Sequence, residues 1–264
     1  PPLRIPDRRW LSVFRRWLVK TVARRCDRLT VPSPSMIQAA HALGVPEDRL
    51  RLIPWGIETD IFTPTPNDRA ATRAELGIGA ADTVILCPRG LAAVYNIDVV
   101  LRAVNSVTGL YPNLRLALLH FNIKPAYLKK LQAAVAQLGL EKTVLWLPPQ
   151  DTAAGMARLY RMADIVISIP SSEGYGFTVF EAMAAGCPTI ISDLPAFRGQ
   201  LEHGLHTLKV PPRSVRAAAA ALTDLLAAAA LRRTLRQNGL TLCRAQSIAT
   251  RIAKTDALYK GLTA

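Results

Sequence analysis

The chain has 264 residues, half of them hydrophobic and 20% charged, with a formal charge of +14. That is a globular composition and excludes a wholly disordered chain, and no run of about 18 uncharged apolar residues suggests a transmembrane helix. Cys26, Cys87, Cys187 and Cys243 are widely spaced, with no Cys-x-x-Cys pair and no nearby histidines. This argues against a zinc site or a disulfide scaffold and for buried free thiols in a reducing cytoplasm.

The Pro-Pro start carries no signal-peptide pattern and reads as a truncated or processed edge. Residues 1–29 hold nine Lys/Arg against Asp7 and Asp27, half of the net charge in about a tenth of the chain. Such a segment favours anionic partners. Residues 8–25 read as a helix with Trp10, Phe14, Trp17, Leu18 and Val22 on one stripe. Arg8, Arg16, Lys20, Arg24 and Arg28 form a second stripe. A short strand, Arg28–Val31, follows. Ser33 and Pro34 then supply a cap and a first-turn proline for a helix over 34–43, which Gly44 ends. Leu50–Ile53 reads as a strand, and the proline-rich stretch 54–67 as a linker.

Beyond the linker the pattern becomes regular. Apolar runs at Thr83–Cys87, Leu114–His120, Thr143–Leu147, Asp164–Ile169, Pro188–Ser192 and Thr207–Val210 read as strands. Helical patterns at 96–109, 125–139, 152–162, 177–185 and 196–203 lie between them. Short strands apolar on both faces, alternating with helices, predict an α/β fold with a doubly wound parallel sheet. The end is helical, over 212–237 and 245–260. The expected organisation is residues 1–53, a linker over 54–67, a main domain over 68–240 and a terminal helix over 241–264. Ligands of such sheets bind beyond the carboxyl ends of the strands, so the loops after Cys87, His120, Leu147, Ile169 and Ser192 are the candidate positions. Trp146 reads as core, and Met156, Met162 and Met183 as packing.

The most informative stretch runs Ser171-Ser172-Glu173-Gly174-Tyr175-Gly176-Phe177-Thr178-Val179-Phe180-Glu181-Ala182-Met183-Ala184-Ala185-Gly186. It follows a strand and opens a helix, a setting in which glycines and a helix N-terminus suit a phosphate. Glu173 and Glu181 are carboxylates that can accept hydrogen bonds from hydroxyl-rich ligands. The stretch resembles the E-x7-E signature of the group 1 (family 4) glycosyltransferases of GT-B fold, continued by Glu-Ala-Met-Ala-Ala-Gly-Cys-Pro-Thr-Ile through Ile190. Ile53-Pro54-Trp55-Gly56-Ile57-Glu58-Thr59-Asp60-Ile61-Phe62 is similar to that family's interdomain segment. Cys87-Pro88-Arg89-Gly90-Leu91, followed by Tyr95-Asn96-Ile97-Asp98, is similar to its first C-domain loop.

The resemblance implies a Rossmann-like domain and roles for single residues. Glu173 would contact donor-sugar hydroxyls and Glu181 the ribose. Backbone N–H groups around Gly174, Tyr175, Gly176, Phe177 and Thr178 would hold the sugar and diphosphate. Arg89 would neutralise the departing diphosphate. No metal or other cofactor is implied, because Arg89 and the helix N-terminus supply the positive charge. Tyr95-Asn96 stands where many members carry Lys-Gly, so one cation is missing. Residues 1–53 would be a remnant of the acceptor domain. His41, His120, His203 and His206 do not match the family's histidine and read as structural.

The implied function is retaining transfer of a hexose-type sugar from a nucleoside diphosphate sugar to a hydroxyl acceptor, whether a glycan, a lipid-linked molecule or a small molecule. The alternatives are a nucleotide-sugar-binding module inactive without a separate acceptor domain, a GT-B nucleotide-sugar epimerase, and a docking protein of the membrane periphery. The basic helix over 8–25 reads either as an interdomain helix or as one lying on an anionic membrane surface, and no nucleic-acid motif is present. The expected location is cytoplasmic, with the inner membrane face as the second option.

Overall fold

The computed structural model describes residues 8–263. The Pro-Pro start lies outside them, as do the side chains of Arg8, Trp10 and Arg16 from the two stripes expected of the first helix. The chain divides at Pro54 into two compact units, Pro1–Pro54 and Trp55–Ala264.

The first unit opens with helix α1, Arg8–Arg25, which ends in Arg24 and Arg25. Strands β1 (Leu29–Val31) and β2 (Leu50–Leu52) pair in parallel. Helix α2 (Pro34–Ala42) packs with them around Val31, Ala40, Val45 and Leu50. Pro34 occupies the first turn as expected, but Ser33 does not cap with its side chain. Its hydroxyl shares a 3.0 Å hydrogen bond with Ser35 instead. Gly44, at φ +82°, lets the chain reverse, and its N–H donates to His41 O.

The second unit carries helices α3 (Pro66–Glu75), α4 (Ile97–Thr108), α5 (Pro125–Gln137), α6 (Ala153–Met162), α7 (Phe177–Ala184), α8 (Val215–Ala227), α9 (Ala229–Ala245) and α10 (Ile248–Thr263). Its strands are β3 (Thr83–Cys87), β4 (Leu114–Leu119), β5 (Val144–Leu147), β6 (Ile165–Ser168), β7 (Thr189–Ser192) and β8 (Leu208–Val210). All six pair in parallel, in the order β5-β4-β3-β6-β7-β8. Side chains alternate between faces because the strand period is two. Ile85 and Cys87 enter the apolar layer built with α4, α5 and α8, whereas Val84 and Leu86 enter the layer built with α6 and α7. Burial on both faces explains the unbroken apolar strands.

Four further expectations differ from the structure. The proline-rich stretch over 54–67 ends in a helix: Pro66 is the first-turn proline of α3 rather than linker, and Asp68 favours that turn electrostatically. The helix expected over 196–203 is a single turn, Pro195–Phe197, because Gly199 turns left-handed at φ +73°. The stretch over 212–237 is two helices broken at Ala228. Arg232 holds the break by donating to the free carbonyls of Leu225 and Leu226. Trp146 is 36% exposed, since β5 is an edge strand and this face of it is uncovered. Met162 and Met183 are buried, and Met156 packs against the second layer.

Among the described residues, no helix is long and apolar enough to cross a membrane.

Candidate functional site

The strand order reverses direction between β3 and β6, where one half of the sheet winds outward from the other. At such a switch point the loops leaving the two strands part and leave a crevice at their carboxyl ends. The loop after β3 delivers Arg89, and the loop after β6 delivers Ser171 through Gly176.

Asn96 joins the two loops. It adopts the left-handed conformation at φ 52°, which Asn tolerates better than most residues, and it is the cap position of α4. Its buried amide donates to Ile169 O at 2.8 Å and to Ser171 Oγ at 3.0 Å. Ser171 N–H in turn donates to Val94 O. Tyr95 lies under the Arg89 guanidinium, 4.7 Å from Arg89 Cζ to the ring centroid, a cation–π contact. Tyr95-Asn96 therefore positions Arg89 and locks the crevice.

Arg89 is 11% exposed and Glu173 15% exposed. Arg89 Nη2 pairs with Glu173 Oε2, and Nη1 donates to Thr178 Oγ1 at 2.9 Å. Arg89 Nε is buried and has no partner among the described residues. The other Glu173 oxygen accepts from Gly174 N–H at 3.0 Å.

Gly176 caps α7 at φ +95°, and a Cβ there would meet the Phe197 ring at 2.3 Å. Both constraints demand glycine. Gly174 differs, because a Cβ there would meet nothing within 4 Å. The N–H groups of Phe177 and Thr178 begin α7, whose cap contributes no side-chain bond, so they point at the crevice with the helix partial charge behind them. Tyr175 is buried, and its hydroxyl donates to Trp55 O at 2.7 Å. Phe177 stacks on Trp55 with ring centroids 5.5 Å apart, and both residues are exposed.

Glu181 lies one turn into α7. Tyr160, fully buried on α6, donates to Glu181 Oε2 at 2.9 Å. Burial raises the Glu181 carboxyl by more than the Tyr160 hydrogen bond lowers it; Glu58 adds to the rise and Arg89 opposes it. Burial, and then the same carboxylate, push Tyr160 well above its ordinary range.

The structure thus brings Arg89, Glu173 and Thr178 into direct contact, with Gly174 to Phe177 on the same loop and Glu181 one turn along the helix. Tyr160, Tyr95, Asn96 and Glu58 were not assigned to the site from sequence. The Tyr95-Asn96 departure and the family-like segment around Glu58 were the signals for three of them; Tyr160 had none. The histidines have other partners: His41 pairs with Glu47 at 2.7 Å, and His203 and His206 accept backbone N–H bonds through Nδ1. His120 meets Trp146 edge-on. Among the described residues no group of three or more His, Cys, Asp or Glu could hold a metal ion.

A six-stranded parallel sheet of this order, with a crevice at its switch point, is the Rossmann-like half of the GT-B glycosyltransferase fold. The family model described as Glycosyl transferases group 1 matches residues 68–241, and that described as Glycosyltransferase Family 4 matches residues 3–61. The chain belongs to the group 1 glycosyltransferase family. A D-inositol 3-phosphate glycosyltransferase of Nocardia farcinica is 29% identical over 197 residues, covering 72% of this chain and 43% of that protein. The corresponding protein of Rhodococcus erythropolis is 30% identical over 216 residues, covering 78% and 47%. The chain spans under half the length of these curated relatives. Among solved structures, Anabaena HepE in complex with UDP superposes with a TM-score of 0.87 at 18% identity, covering 97% of this chain and 70% of that one. Sucrose-phosphate synthase of Thermosynechococcus elongatus superposes with a TM-score of 0.82 at 23% identity, covering 98% and 64%.

Proposed function

We infer that this chain holds the donor site of a retaining glycosyltransferase, which moves a sugar from a nucleoside diphosphate sugar to a hydroxyl acceptor. The observation that carries the reading is the meeting at one switch point of the Arg89 guanidinium, the α7 N-terminus and two carboxylates eight residues apart. The D-inositol 3-phosphate glycosyltransferases and the HepE complexes with UDP and UDP-glucose support this reading and make uridine nucleotides the first donors to test.

In the reaction, the bond from the anomeric carbon to the diphosphate oxygen breaks and the acceptor oxygen bonds on the same face. The acceptor proton is released with the diphosphate or to solvent. Charge grows on the diphosphate as it leaves. Arg89 and the Phe177 and Thr178 amides stabilise that charge; the amides are fixed by α7, and Arg89 has only to exchange its partner. Glu173 holds the Arg89 guanidinium until the diphosphate takes it over, and then accepts from sugar hydroxyls. Glu181, with one oxygen held by Tyr160, keeps lone pairs for the ribose hydroxyls. Residues 1–53 belong to the acceptor half, which fits the family match over residues 3–61. α1 carries exposed Val13, Trp17 and Val22 beside its basic side chains, and this apolar face suits packing against the rest of an acceptor half. Sedimentation with acidic and neutral vesicles checks this: binding that needs acidic lipid assigns the helix to a membrane surface instead.

Calorimetric titration with UDP, GDP and ADP tests the donor site. One nucleotide saturates the chain, and Glu181→Ala weakens it by about 1.5–3 kcal/mol, the loss of a hydrogen bond to a charged group. A folded chain that binds none of the three overturns the reading.

A further inference from the structure

A second cavity of about 470 Å³ lies at the opposite edge of the sheet from Arg89. Its walls include Asp164, just before β6, and Cys187 and Pro188, just before β7, so it sits at the amino ends of strands whose carboxyl ends make the crevice. It shares no wall with Arg89 or with residues 173–178. Tyr160 is common to both places: it lines the cavity, and its hydroxyl donates to Glu181.

Five arginines line this cavity: Arg69, Arg161, Arg232, Arg233 and Arg236. The single acidic residue in the walls is Asp164, and its oxygens are taken by Arg69 at 2.5 Å and by Arg73 at 2.6 Å. Arg161 is balanced by Asp68. Arg232 donates to the carbonyls at the end of α8, which leaves its charge uncompensated. Arg233 and Arg236 are exposed and have no hydrogen-bond or ion-pair partner among the described residues. Arg236 lies over Gly186, where a Cβ would come within 3.2 Å of its Nε.

Three uncompensated guanidiniums on one turn of α9 repel one another, and like charges four residues apart weaken a helix. The fold carries that cost around a concavity of ligand size rather than on an open face. Guanidinium forks match phosphate oxygens in pairs. The first turn of α9 opens on the same cavity at Ala229 and adds its partial positive charge.

We propose that this cavity is a second anion site, which takes a small phosphorylated solute through Arg233 and Arg236, with Arg232 behind them. The site is separate from the donor crevice and does not depend on what that crevice binds.

Pyrophosphate titrated into the Arg89→Ala chain by calorimetry tests the proposal, because that substitution removes the guanidinium of the other crevice. One pyrophosphate binds, and adding Arg233→Ala with Arg236→Ala weakens it at least about tenfold, as loss of charge-assisted forks requires. The same pair changed to Lys keeps the charge and loses the fork, and is intermediate. In the otherwise unaltered chain the paired alanines remove one class of pyrophosphate binding without lowering the melting temperature, since they relieve the repulsion on α9, which keeps the test decisive if Arg89→Ala melts early. Equal affinity with and without Arg233 and Arg236 overturns the site. So does sedimentation with phosphatidylglycerol vesicles that requires these arginines when pyrophosphate does not bind, since the phosphate would then be that of a bilayer.

Discussion

Glu181 sits where a carboxylate is costly, because burial raises its carboxyl above the ordinary value. A carboxyl whose folded value is raised above 4.5 is protonated more readily in the native than in the unfolded state. The native state then loses stability as pH rises from about 4.5 through the raised value, because the charged form is desolvated. Glu181→Gln keeps an acceptor for Tyr160 and removes the charge. It melts above the parent protein at pH 7, and the difference closes on acidification toward pH 4. Nucleotide affinity moves the opposite way. It rises with pH in the parent as Glu181 ionises and is flat in Glu181→Gln, which calorimetry at several pH values would show. The two loop glycines form a second contrast. Gly176→Ala meets both the left-handed backbone and the Phe197 ring, and costs about 2–3 kcal/mol in denaturant unfolding. Gly174→Ala enters open space and stays within about 0.5 kcal/mol. The pairing Glu173 with Glu181 was legible as spacing. That Gly176 and Gly174 are glycines for different reasons was not, because Phe197 comes from a distant turn.

At the scale of elements, α3 shows how an ion network can seat a helix. Arg69 and Arg73, one turn apart, share Asp164, which also accepts from Val84 N–H at 2.8 Å. Arg73 is buried, and its Nε donates to Met162 O, so α3 is tied to the end of α6 and the start of β6. Asp164→Asn removes the charge between two guanidiniums and leaves Arg73 buried without a counter-ion. Breaking such a pair costs about 3 kcal/mol, taking the lower end of the range because Asp164 is partly open to water. Chemical unfolding measures this, and Asp68→Asn, whose carboxylate is more exposed, costs well under half as much. The local sequence hid α3, because prolines that cap a helix and prolines that break a linker look alike until the partner at Asp164 is known. The break between α8 and α9 was hidden for a different reason. An alanine-rich run has uniform helix propensity, so nothing local marks Ala228, and Arg232 caps the end from beyond it.

Across the whole molecule, the cysteines report on the packing of the two units separately. Cys87, Cys187 and Cys243 are buried in the larger unit, and burial pushes the thiols of Cys87 and Cys243 up to about 12 and that of Cys187 higher. Cys26 belongs to the smaller unit and is half-exposed. Labelling with a thiol reagent at pH 8 gives one fast cysteine and three that react only as the larger unit opens. The three slow rates rise together in denaturant, and Cys26→Ser removes the fast phase alone. Any second fast thiol would contradict the burial of the sheet.

The sequence by itself determined the order and type of most elements of the sheet, because strands covered on both faces must be apolar throughout and helices between them must show a period near 3.6. It also determined the spacing of Glu173 and Glu181 and the presence of a cation after β3. The tertiary structure alone decided which strands are neighbours, and therefore that the loops after β3 and β6 meet. It decided that Tyr95 and Asn96 hold Arg89 and the crevice, that Tyr160 supports Glu181, and that Trp146 faces solvent on an edge strand. It also gathered arginines from α3, α6 and α9 around one cavity. Periodicity reports the surroundings of a residue along its own element. Partners drawn from elements some 75 to 170 residues apart are fixed only when the sheet closes its order.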